Sequence, residues 1–250
     1  MSGESLLYIL GNEALKQEFL DIGVSVDVVL ACRVSPKQKA DIVQVVRDRF
    51  PDKTTLSIGD GANDVNMITT AHVGVGISGL EGQQAARSAD YIIGQFRFLK
   101  PLLFKHGREA YRRNGFLVCY NFYKNIVMVL PNFWFGMYSM YSGSFLYEKF
   151  IYQLYNIVFT SVPIMWFAVM DFQYPSHVFL KDPSKYQIGL KKECFGTKVF
   201  WYWFCYGAVQ AAAIIFFAFY VIEHDDPSIY KSGALVLGAV VLIVNYQIFL

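Results

Sequence analysis

Beyond Asn114 the chain loses almost all of its charge. Asn114 to Tyr147 holds one charged residue, Lys124, and Phe150–Met170, Val199–Ile222 and Ser232–Leu250 hold none. A helix needs roughly 20 mainly apolar residues to cross the hydrocarbon of a bilayer. In lipid such a run must satisfy its own backbone hydrogen bonds, and a helix does so within one segment. We therefore expect a membrane domain over residues 116–250 with four spans, at about 117–141, 150–170, 199–222 and 233–250. The connection Ser142–Lys149 is short enough to make the first two spans an antiparallel hairpin. Residues 1–113 carry an ordinary mix of charge and glycine, so the overall charged fraction of 17% averages two unlike halves.

Basic residues orient the spans. Arg97, Lys100, Lys105, Arg108, Arg112 and Arg113 face one acid, Glu109, and read as a basic helical stalk over 97–115. The loop Phe172–Lys198 holds five lysines: Lys181, Lys185, Lys191, Lys192 and Lys198. The two opposite loops hold Lys149 and Lys231, the latter beside Glu223, Asp225 and Asp226. Lysine and arginine concentrate on the cytoplasmic side, which places the stalk and the 172–198 loop there. Met1 to Gln17 lacks a basic start followed by an apolar core, so residues 1–113 are expected in the cytosol. The four cysteines form no C-x-x-C pair, which argues against zinc and disulfide frameworks. A net charge of +2 with no lysine-rich block argues against a nucleic-acid partner.

Residues 1–96 alternate strand and helix patterns, as in a parallel sheet covered by helices. Strands are expected at Val26–Ala31, Thr54–Ile58, Val73–Ile77 and Tyr91–Ile93. Helices are expected at Pro36–Phe50, Asn63–Thr70 and Glu81–Ser88, with Asn63 able to cap the second. After the second strand comes Ile58-Gly59-Asp60-Gly61-Ala62-Asn63-Asp64-Val65. Ligands bind at the carboxyl ends of parallel strands. Small residues there let backbone N–H groups approach phosphate oxygens, and carboxylates four apart can share a hard cation such as Mg²⁺.

Lys124 stands inside an apolar span, at a cost of roughly 3 kcal/mol on insertion scales. A lysine so placed serves a site, or lies near the span's end and snorkels to the headgroups. Asn121, Asn125 and Asn156 could hydrogen-bond a lipid headgroup or one another across helices. Pro131 and Pro163 are expected to break their helices and free backbone carbonyls. The first two span interiors hold no Asp or Glu, which is poor electrostatics for a cation such as Ca²⁺.

The stretch Cys32-Arg33-Val34-Ser35-Pro36-Lys37-Gln38-Lys39, followed by Gly59-Asp60-Gly61-Ala62-Asn63-Asp64, resembles the second half of the phosphorylation domain of P-type ATPases. That domain has a haloacid-dehalogenase-like α/β fold, and the resemblance assigns it to residues 1–96. Tyr120-Asn121-Phe122-Tyr123-Lys124-Asn125 and Leu154-Tyr155-Asn156-Ile157-Val158-Phe159-Thr160 look like the type IV subfamily, the phospholipid flippases. The resemblance implies ATP as substrate, Mg²⁺ as cofactor and an aspartyl-phosphate intermediate. It implies that Asp60 ligates Mg²⁺ with Asp64 in the same acidic site, and that Lys39 contacts the phosphoryl group. Asn63 would donate to a phosphate oxygen or hold the loop, and Arg33 would lie near the nucleotide phosphates. In the membrane, Lys124 would couple lipid movement to dephosphorylation, with Asn121, Asn125 and Asn156 along the lipid path. A phospholipid substrate, a bilayer and an accessory membrane subunit are the implied partners.

Asp52-Lys53-Thr54-Thr55 resembles the family's phosphorylation motif, Asp-Lys-Thr-Gly-Thr. Asp52 precedes its strand, at the wrong end of the sheet, and Thr55 replaces the glycine, so it is rejected as nucleophile. Without that nucleophile or the actuator loop, the chain reads as a fragment inactive by itself. A cation-transporting P-type ATPase and a membrane-anchored phosphatase of the same superfold are the alternatives.

Overall fold

A computed structural model describes residues 1–79, 83–222 and 228–249, in two units, Met1–Lys100 and Pro101–Leu250. In the first unit, helices α1 (Gly3–Gly11) and α2 (Glu13–Ser25) precede α3 (Pro36–Arg49). Ser2 and Asn12 cap α1 and α2 by accepting the N–H of Ser5 and Ala14. A capping box fixes the start of α3. Ser35 accepts from the Gln38 N–H, Gln38 Oε1 accepts from the Ser35 N–H at 2.8 Å, and Pro36 fills the first turn. Gln38 Nε2 also donates to the Gly3 carbonyl at 2.7 Å, tying α3 to α1.

The sheet has strands β1 (Leu56–Gly59), β2 (Val73–Ile77) and β3 (Tyr91–Ile93), all parallel and in that order. Leu56 is level with Val73 and Gly59 with Gly76, and Val75 is level with Tyr91 and Ile77 with Ile93. Helices α4 (Val65–Thr70) and α5 (Gln84–Ser88) make the crossovers, packing Ile68, Ala85 and Ala86 into the core with Val75. The start of the expected 81–88 helix, at Glu81, lies outside the described residues.

Two expectations for this unit are corrected. Val26–Ala31 is extended but is not a strand, and Val28 and Leu30 are exposed. It lacks a neighbouring strand among the described residues, and its end is tied instead to the start of the chain: the Met1 amino group donates to Leu30 O, and Ser2 bridges to Cys32. An apolar run signals a wish for burial; only a partner strand makes it part of a sheet. Asn63 does not cap α4 either. A 3₁₀ turn, Ala62–Asp64, intervenes and leaves Asn63 exposed.

In the second unit, a π-helical turn at Leu102–Gly107 leads into the 31-residue helix α6 (Arg108–Tyr138). It is followed by α7 (Lys149–Met170), α8 (Thr197–Ile222) and α9 (Ile229–Phe249). Among the described residues three helices are long and apolar enough to cross a membrane: Lys149–Met170, Thr197–Tyr220 and Ile229–Phe249. These are the second, third and fourth expected spans. The first falls on α6 as far as Tyr138, three residues short of its expected end, and α6 at about 1.5 Å per residue is long enough but is not one of these three. The acidic residues 223, 225 and 226 invoked for orientation lie outside the described residues.

Helix α6 is the spine of this unit, with α8 packed along it and α9 against both. Trp203 of α8 stacks edge-on against Phe116 and Tyr123 at 5.5 Å each. The connection between α6 and α7 is itself packed, since Leu146 and Tyr147 are buried and the Tyr147 hydroxyl donates to Met128 O at 2.9 Å. The expected break at Pro131 is absent, because α6 runs through that residue. At Pro163 the expectation holds in part: α7 contains a π turn at Tyr155–Phe159, ending at the residue whose carbonyl Pro163 deprives of its i+4 donor.

Candidate functional site

The expected site residues fall into two groups, one in each unit. In the first, β1 ends at Gly59 and the chain turns through Asp60 and Gly61 into the 3₁₀ turn. The turn folds the Asp64 side chain back over the strand end. A Cβ on Gly59 would lie within 2.7 Å of both Asp64 Cγ and Oδ2, so this position needs glycine. Lys39, held in the first turn of α3 by the capping box, donates from Nζ to Asp64 Oδ1 at 2.7 Å. The lysine side chain is 31% exposed and the aspartate 12%.

Asp60 is exposed at the carboxyl end of β1. Asp52 stands ahead of the opposite end. Arg33 is exposed too, with its backbone in the left-handed region at φ 55°. The structure thus joins Lys39 to Asp64 and sets Asp60 and an exposed Asn63 on the same loop, whereas Arg33 is exposed and bonded to none of them. No group of three or more His, Cys, Asp and Glu that could hold a metal occurs among the described residues. Mg²⁺ asks for less, because it keeps several waters and binds through one or two carboxylates plus substrate phosphates. An open Asp60 beside an Asp64 already neutralised by Lys39 fits that donor set.

The second group lies within the helices of the other unit. Lys124 is 7% exposed. Its Nζ donates to Thr160 Oγ1 at 3.0 Å, and that hydroxyl donates in turn to Tyr155 O at 2.9 Å. Tyr155 closes the circuit by donating from its own hydroxyl to Lys124 O at 2.9 Å. The π turn makes this possible: Thr160 N–H bonds to Tyr155 O, five residues back, which turns Thr160 inward. Thr160 and Tyr155 are fully buried. Asn121 and Asn125, one turn apart on α6, are exposed, as is Asn156. They share the level of Lys124 but not its enclosure.

Sequence reasoning missed Thr160 and Tyr155 as partners of Lys124. It also missed an ionic cluster at the base of α6. Arg108 and Glu109 are buried and paired at 2.5 Å. Arg108 also donates to Gln173 Oε1 at 2.6 Å and to Lys185 O at 3.1 Å, with its guanidinium 4.8 Å from the Phe179 ring. Arg112 bonds both Glu109 and the Asp171 carboxylate, and Arg113 donates to Asp171 O at 2.6 Å. Burial alone would lower the Arg112 pKa; its bonds to Asp171 and Glu109 outweigh that and raise it above the usual guanidinium value. The stalk therefore does not end as a solvated basic helix: its last three arginines are packed. The signal in the sequence was Glu109, an acid at i, i+3 and i+4 spacing to Arg112 and Arg113.

Comparison with known proteins identifies the family. Residues 86–250 match the model of the phospholipid-translocating P-type ATPase C-terminal family. The chain belongs to that family. It is 39% identical to phospholipid-transporting ATPase 1 of Arabidopsis thaliana over 99% of its own length and 21% of the relative's. It is 40% identical to phospholipid-transporting ATPase DNF2 of Saccharomyces cerevisiae, covering 93% of this chain and 14% of that one. For phospholipid-transporting ATPase IC of Homo sapiens the identity is 39%, over 95% and 19%. The chain thus spans about a fifth or less of the relatives it matches. With its apolar helices, family membership makes it a multi-pass integral membrane protein.

Proposed function

We propose that this chain supplies part of the phosphoryl-transfer site and part of the lipid path of an ATP-driven phospholipid translocase. The observation that carries this is Lys124, a buried ammonium whose one side-chain partner among the described residues is a neutral hydroxyl. An ammonium has three N–H donors and attracts a negative partner. A phospholipid phosphate supplies one; a metal cation is repelled. Thr160, held by the Tyr155 carbonyl, presents its oxygen to Lys124 and keeps the ammonium from turning away.

On the cytosolic side, residues 1–96 are read as part of a haloacid-dehalogenase-like domain. Phosphoryl transfer is mostly positioning and charge stabilisation. Lys39 supplies compact positive charge at the strand ends, and its bond to Asp64 fixes where that charge stands. Asp60 and Asp64 would hold Mg²⁺, which when bound offsets charge on the phosphoryl oxygens. Arg33 and Asn63, both exposed, would meet phosphates of ATP. The nucleophilic aspartate is expected from another part of a longer protein. An accessory membrane subunit is a further expected partner.

The test uses the full-length protein that contains this chain, reconstituted in vesicles of phosphatidylcholine and phosphatidylserine. Lys124→Ala is expected to lower lipid-stimulated ATP hydrolysis about tenfold or more, corresponding to about 1.4 kcal/mol of lost stabilisation. Stimulation of the unsubstituted protein by a metal ion, with no response to lipid, defeats the proposal.

A further inference from the structure

Polar cross-links join α6 to α7 at two levels, and the spacing between the levels is the same on both helices. Arg113 and Lys124 are eleven residues apart, and so are Thr160 and Asp171. Eleven residues make about three helical turns, or some 16 Å, so both links fall on one face of each helix. One rung is Arg113 donating to Asp171 O, with Arg112 on the Asp171 carboxylate. The other is Lys124 on Thr160. Between them Phe116 and Phe167 meet with ring centroids 4.6 Å apart.

Both helices are continuous between the rungs. Helix α6 runs from Arg108 to Tyr138, and Ser161–Met170 is α-helix with Pro163 in its first turn. The irregular turn, Tyr155–Phe159, lies on the far side of Thr160. A shift of α7 at Asp171 is therefore carried along this helix toward Thr160. The lower rung is also braced from outside, since Arg113 lies 4.9 Å from the Phe172 ring and Arg108 holds Gln173.

We infer that Arg112, Arg113 and Asp171 are positioning residues: they clamp the register of α7 on α6 and so set Thr160 against the Lys124 ammonium. Removing the Asp171 carboxylate leaves Arg112 without its interhelical partner in a largely buried cluster, which favours rearrangement over a simple gap. The effect on lipid rests on the reading of Lys124 given above; the clamp itself does not.

Two measurements on the full-length protein separate them. Spin labels at Phe122→Cys on α6 and Val162→Cys on α7, both exposed positions, report the interhelical distance in a background without native cysteines. Asp171→Ala is expected to shift or broaden that distance distribution, and Asp171→Glu to restore it. In phosphatidylcholine micelles titrated with phosphatidylserine, Asp171→Ala should raise the half-saturating lipid concentration about tenfold, with the maximal rate within about twofold. A distribution identical to the parent's overturns the clamp. A shifted distribution with an unmoved lipid response upholds the clamp and overturns the role of Lys124. If Asp171→Ala does not accumulate, Asp171→Asn removes the charge and is read in the same way.

Discussion

Gly59 shows how much one hydrogen atom in place of a methyl can decide. The Asp64 carboxyl lies where a Gly59 Cβ would be, whereas a Cβ on Gly61 meets only Asn63 N at 3.9 Å. Gly59→Ala must expel the Asp64 side chain and break its bond to Lys39. We expect it to cost about 1–3 kcal/mol, and Gly61→Ala under about 1 kcal/mol. Chemical denaturation of the two variants checks this, and equal losses would refute the close approach. The loop that carries Asp60 and Asp64 stood out in the sequence because a strand end, small residues and spaced carboxylates form a pattern, whereas Lys39 was marked only by the family resemblance. Thr160 was not, because a threonine in an apolar span looks the same whether it faces lipid or a buried lysine. Only the π turn distinguishes the two. Asn63 misled for a related reason: its side chain suits a cap, but it sits inside a 3₁₀ turn that precedes the helix.

At the scale of elements, short polar turns after α7 support the buried arginines. Asp182 accepts from the Ser184 hydroxyl at 2.6 Å and from its N–H at 3.1 Å, shaping the turn Pro183–Tyr186. That turn presents Lys185 O to Arg108 Nε. The bond from the Ser184 hydroxyl, then its N–H and the charge of Lys185, hold the Asp182 carboxyl below its usual pKa. A carboxyl with a depressed folded value stabilises the turn above the unfolded pKa, and the contribution is lost as pH falls through the depressed value. A carboxyl-detected NMR titration should give Asp182 a midpoint below about 3.9, and Ser184→Ala should move it back up. A midpoint at the ordinary value in the parent would contradict the turn. Elements defined by their own residues, such as α3, β2 and β3, were read correctly from sequence. Val26–Ala31 was not, because strand formation depends on a neighbour that periodicity cannot report.

For the whole molecule, the open matter is whether α6 crosses the membrane. Composition weighs against it, since Lys124, Asn121, Asn125 and Asn132 dilute its apolar character. Packing weighs the other way. Lys124 is enclosed by α7, so its polarity is met by protein and not by lipid, the condition under which a charged side chain persists at depth. The bonds from Arg113 to Asp171 O and from Tyr155 to Lys124 O also hold α7 alongside α6 over about three turns. A helix that lies beside a span over that length spans with it. Residues 139–148 then sit on the face opposite residues 171–196, and the lysines of the second loop place it in the cytoplasm. In a background without native cysteines, a membrane-impermeant maleimide applied to sealed, cytoplasmic-side-out vesicles should label Ser184→Cys and spare Ser142→Cys until the vesicles are opened. Labelling of both from the same side would deny that α7 crosses, and a shared side for Ser142→Cys and an exposed site ahead of α6, Ser88→Cys, would remove α6 from the membrane, and Lys124 with it. The lysine would then need no lipid phosphate to balance it, so this one topology experiment bears on the fold and on the proposed lipid path together.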